Sequence, residues 1–133
     1  MRIIVDLDKE EPLNPSEALA NVELIGDAGD AIIDSDVWAD DWLIALWEGA
    51  QALDKGEAGY NAKINTEPYA LIFAISGHGF TISYNQSRIR VNNLTEFHQE
   101  LKSATKRVIE EFGPNQIFSP ESIWAQLQQY ADS

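Results

Sequence analysis

The chain has 133 residues, of which 44% are hydrophobic, contains no cysteine and carries a formal net charge of −13. That length suits one domain of about 100–150 residues with a core of its own, needing no cross-links. The lack of cysteine excludes disulfide scaffolds, thiolate zinc sites and cysteine nucleophiles, and the charge opposes binding to nucleic-acid phosphates or anionic membranes.

The charge is unevenly spread. Residues 1–57 hold 15 acidic and 3 basic side chains, a net of −12, and residues 58–133 hold 7 acidic and 6 basic, a net of −1. The opening MRIIVDLDKEEP places Asp6 and Asp8 too early for the uncharged apolar core of a signal peptide. The apolar runs VWADDWLIALW and YALIFAIS are shorter than the roughly 20 residues that cross a bilayer. A cytoplasmic protein without membrane segments is expected.

In chain order, RIIVDL alternates Ile3, Val5 and Leu7 against Arg2 and Asp6, with Ile4 the one mismatch, and reads as a strand. A charged loop follows, punctuated by Pro12 and Pro15, in which Ser16 caps a short helical turn through Ala20. NVELI is a second strand, and GDAGD turns the chain into a third short apolar run, AII.

The stretch DSDVWADDWLIALWEGAQAL predicts a helix with Ser35 or Asp36 as its N-cap and Gly56 as its stop. Asp36, Asp40 and Asp41 lie in its first turns, where the helix dipole favours anions. Trp38, Trp42, Leu46, Ala50 and Leu53 recur along one stripe expected in the core. Trp47 and Ile44 turn away from that stripe, which makes Trp47 the candidate for a partly exposed anchor beside Asp40 and Glu48.

Residues 60–92 predict a four-strand meander: YNAKIN, YALIFAIS, FTISYN and RIRV, joined through TEP, GHG and QS. Phe80, Ile82 and Tyr84 alternate with polar residues, as in a sheet wet on one side, whereas YALIFAIS is apolar on both faces and is expected centrally or under a helix. Asn93 with Glu96 begins a second helix that Gly113 ends, with Leu94, Phe97, Leu101, Ala104, Val108 and Phe112 on its buried side. After PNQIF, Ser119 and Pro120 open a third helix bearing Ile123, Trp124, Leu127 and Tyr130. The expected fold is a single α+β domain over residues 1–133, a mainly antiparallel sheet with three helices packed mostly on one face.

No chemistry-bearing pattern emerges. His78 sits in a predicted turn and His98 on a helix, and neither belongs to a metal-ligand spacing. The acidic run DAGDAIIDSD fails the calcium-loop template, since counting from Asp34 puts Trp38 and Ala39 where an acid or amide and a glycine are needed. There is no G-x-S-x-G and no phosphate-binding glycine loop. No catalytic residue, metal or cofactor is expected, and the chain reads as a binding protein rather than an enzyme.

The short acidic chain, its Trp/Leu-rich helix WADDWLIALWEGAQAL and the segment RIRVNNLTEFHQELKSATKRVIEEFG together resemble small bacterial immunity proteins of polymorphic or contact-dependent toxin systems. The resemblance covers most of residues 34–113. It implies an inhibitor that occludes a basic toxin, such as a nuclease, sterically and electrostatically. The expected contact residues are Asp27, Asp30, Asp34, Asp36, Asp40, Asp41, Trp47 and Glu48, and the expected partner is a basic protein. The alternatives are a self-associating homodimeric scaffold that uses exposed aromatics, and a metal-dependent hydrolase built on carboxylates.

Overall fold

A computed structural model describes residues 1–8, 14–114 and 116–133; most of the charged loop (9–13) and Asn115 lie outside the described residues. The strands form two antiparallel sheets. The first has the order β1 (Arg2–Leu7), β2 (Leu19–Ile25), β3 (Ala31–Trp38), and the second is the meander β4 (Gly59–Lys63), β5 (Ala70–Ser76), β6 (Gly79–Tyr84), β7 (Ser87–Val91). Helix α1 (Ala39–Asp54) joins the sheets in sequence, and α2 (Leu94–Glu111) and α3 (Ile123–Asp132) follow the meander. The chain is therefore of the α+β class.

Alternation decides the faces. Ile3, Val22, Leu24, Ile32 and Val37 of the first sheet are buried, as are Leu71, Phe73, Phe80, Ile82, Ile89 and Val91 of the second. Helix α1 packs on β4 and β5 and touches β2 and β3, while α2 lies against β1 and α1, and α3 against both longer helices. The helices thus cover the apolar faces. The opposite face of the meander carries Ile72, Ser83 and Arg88 in one cross-strand row, so β5 is central in its sheet yet buried on one face only. The sheets adjoin where the β2–β3 turn meets the end of β7. There the Asp27 amide donates to Arg90 O at 2.8 Å, and the Asp27 carboxylate accepts from the Asn92 amide at 2.8 Å.

Three local expectations are corrected. The largest concerns DSDVW, which is strand rather than the start of the helix. Val37 pairs with Ala20 and Trp38 with Leu19, and an extra residue bulges β3 opposite Asn21. Asp36 occupies the bulge with φ +55° and donates its amide to Asn21 Oδ1 at 3.3 Å. Neither Ser35 nor Asp36 is the N-cap. That position falls to Trp38, which makes no side-chain cap; instead the Ala39 amide donates to Ala18 O at 3.0 Å. Trp38 is consequently half-buried at a strand end.

The predicted helical turn through Ala20 shrinks to a 3₁₀ turn at Pro15–Glu17, capped by Asn14, because β2 begins at Leu19 and claims the following backbone for its ladder. Helix α3 begins after Ser122, whose hydroxyl accepts from the Ala125 amide at 3.1 Å, and not at Pro120. Elsewhere the caps match expectation. Asn93 Oδ1 accepts from the Glu96 amide at 3.1 Å, and Gly56 and Gly113 take positive φ just beyond α1 and α2.

Candidate protein-binding surface

The lower half of α1 is buried nearly all round. Gly49 exists because a Cβ there would lie 2.2 Å from the Phe73 ring, so the helix presses directly onto β5. Trp47 is only 4% exposed. Its indole N–H donates to Thr105 Oγ1 at 3.0 Å, and its ring contacts His98 and Tyr130 at centroid separations of 5.7 and 5.3 Å. The partly exposed anchor expected at this residue is therefore absent; α2 and α3 supply the cover. Ile44 is buried too, and Glu48 is half-buried, with its carboxyl raised above its ordinary value by burial.

The upper end of α1 is different. Asp40 and Asp41 leave its first turn, Asp34 approaches from β3, and Glu67 approaches from the β4–β5 connection. Asp41 is 8% exposed and accepts from Thr66 Oγ1 at 3.0 Å. The Tyr84 hydroxyl, at the end of β6, donates to Asp34 Oδ2 at 2.9 Å and lies 3.4 Å from Glu67 Oε2, so a single proton serves two carboxylates. Beneath it Tyr84 packs on Trp42 at 4.8 Å, and beside it on the half-exposed Tyr69 at 5.8 Å.

The carboxylates pay for this proximity electrostatically. Burial, followed by the charge of Asp41, raises the Asp40 carboxyl, and burial, followed by the charges of Asp34 and Asp41, raises Glu67. Burial and the Asp34 contact push the Tyr84 phenol well up, which keeps it protonated and donating. Among the described residues the ion pairs are Met1–Asp27 at 2.6 Å and Arg107–Glu100 at 3.4 Å, so none reaches this cluster.

Of the eight residues expected to form one contact surface, Asp34, Asp40 and Asp41 come together. Asp27 and Asp30 sit in the turn at the far end of β3, where the α-amino group of Met1 and the Asn92 amide hold the Asp27 carboxyl below its ordinary value. Asp36 is exposed in the bulge, and Trp47 and Glu48 lie farther along the helix. Glu67, Tyr69 and Tyr84 belong with the cluster but were not anticipated: a glutamate in a TEP turn has no local signal, and only the meander's closure brings it to α1.

His78 is exposed in its turn, and His98 packs edge-on against Trp47. Among the described residues no group of three or more histidines, aspartates or glutamates is arranged to hold a metal ion, and no helix there is long and apolar enough to cross a membrane. Compared with known proteins, the chain matches no family model, no curated protein and no solved structure.

Proposed function

We propose that the chain is an acidic protein-binding domain, an immunity-type inhibitor that occludes a basic partner such as a toxin nuclease and acts without catalysis. One observation carries this reading: Asp34, Asp41 and Glu67 converge from three separate elements, with Asp40 beside Asp41, and no lysine or arginine lies within 4 Å among the described residues. Like charges held together raise the free energy of the isolated protein and lower it when a cation docks. The exposed edge of Tyr69 adds an aromatic surface of the kind that anchors interfaces.

The test is kinetic. A basic protein captured by the chain is mixed with the parent and with a variant carrying Asp40→Asn and Glu67→Gln. Association with the variant is expected to be slower and less sensitive to salt, because steering by charge acts on the on-rate. Identical kinetics for the two proteins contradict the reading. A second reading, self-association, is favoured by Ile33, Ile72 and Ile75, which are 65%, 46% and 48% exposed on strands. It predicts a dimer that sediments unchanged in high salt.

A further inference from the structure

A groove of about 570 Å³ opens between the 3₁₀ turn at Pro15–Glu17, the 116–122 connection and the first turn of α3. Pro15, Ile117, Phe118, Ile123 and Trp124 give it apolar walls. The walls are fixed: the Trp124 indole donates to Pro15 O at 2.8 Å, and Trp124 packs on Phe112 at 4.9 Å and on Phe118 at 6.1 Å. Ile117, by contrast, is 88% exposed. A lone exposed isoleucine is ordinary on a protein surface, but this one borders a concave apolar wall.

The charge around the groove has one sign. Asp40 and Glu121 line it, and no lysine or arginine does so among the described residues. Asp40 also belongs to the carboxylate cluster, so the apolar groove and the acidic surface join at one side chain.

We infer that the groove seats a large apolar side chain of a basic protein segment, with flanking lysines or arginines meeting Asp40 and Glu121. This rests on the proposed role of the carboxylate cluster and adds the apolar anchor that Trp47, being buried, does not provide. Charge brings the partner in and sets the on-rate, and the groove holds it and sets the off-rate.

A fluorescein-labelled peptide of alternating lysine and leucine, an all-lysine peptide and a glutamate–leucine peptide of equal length are titrated into the parent, Ile117→Ser and Asp40→Asn proteins, with anisotropy as the readout. The lysine–leucine peptide is expected to bind about 10- to 100-fold tighter than the all-lysine peptide, the range that burial of one aliphatic side chain supplies. Ile117→Ser should erase most of that advantage while leaving all-lysine binding unchanged, and Asp40→Asn should weaken both basic peptides. Equal affinity for the two basic peptides, or lysine–leucine binding untouched by Ile117→Ser, overturns the groove and leaves the carboxylate surface standing. Tight binding of the glutamate–leucine peptide overturns the basic occupant. Failure of every basic peptide to bind, or binding indifferent to Asp40→Asn, overturns the groove and the acidic reading together.

Discussion

Around Trp47 and Gly49, helix α1 is wedged between β5 and the other two helices; there the buried Trp47 indole nitrogen finds a hydroxyl, while Nε2 of the adjoining His98 has no hydrogen-bond partner among the described residues. Two to three turns earlier the same helix begins without a side-chain cap, beside carboxylates of which Asp34 and Glu67 share one phenolic proton and none meets a cation among the described residues. The first region is arranged for stability. The second spends stability, and natural proteins tolerate such strain where function needs it. The two regions should therefore respond to substitution with opposite signs.

The largest effect is expected between them, at Trp42, which is fully buried and supports Tyr84 from below. Trp42→Ala should cost about 3–5 kcal/mol in urea denaturation, as large-to-small core changes do. It should also free Tyr84 and thereby disturb the carboxylate end, so a loss below about 1 kcal/mol would break the proposed link. At the packed end, Gly49→Ala drives a methyl into the Phe73 ring. Crowding of this kind costs about 1–3 kcal/mol, against a helix-propensity gain of roughly 1 kcal/mol, and a net loss is expected; a net gain would mean that α1 lifts easily from the sheet. Thr105→Val keeps shape but strands the Trp47 indole, for an expected loss of about 1 kcal/mol or somewhat more.

The pH response sharpens the contrast. Asp40, Glu48 and Glu67 have carboxyls raised above ordinary values of 3.8 for aspartate and 4.5 for glutamate. They bind protons more readily folded than unfolded, so the folded state gains stability as pH falls from neutrality toward that range. Asp27 is lowered from 3.8, so its contribution is present above that value and is lost as pH falls through its native one. Thermal melts across pH should find a stability maximum on the acid side of neutrality. A maximum at or above pH 7 would contradict the assignment of strain to the carboxylates.

The meander and α2 were legible because their signals are local: period-two alternation at Phe80, Ile82 and Tyr84, and an asparagine cap three residues before Glu96. DSDVW misled because its aspartates and serine look like cap residues and Trp38 stands four residues before Trp42, at helical spacing. What decides its conformation is pairing with β2, about fifteen residues earlier in the chain. The carboxylate cluster was half legible, since Asp34, Asp40 and Asp41 are close in sequence while Glu67 and Tyr84 arrive by tertiary folding. Burial of Trp47 could not be read from α1, as its cover comes from Thr105, His98 and Tyr130. The groove beside Ile117 rests on a connection with no periodicity to read.

The central claim is that the carboxylate end of α1 meets no compensating cation among the described residues, and a double variant, Asp40→Asn with Glu67→Gln, tests it without a partner. Both substitutions keep the shape and the hydrogen-bonding oxygens that meet the Asp41 amide and Tyr84. Urea denaturation at pH 7 should find the variant at least as stable as the parent, with the difference closing as the pH falls and the parent's carboxyls take up protons. A variant less stable than the parent by more than about 1 kcal/mol at pH 7 would show that these carboxylates hold the fold together, and would contradict the account.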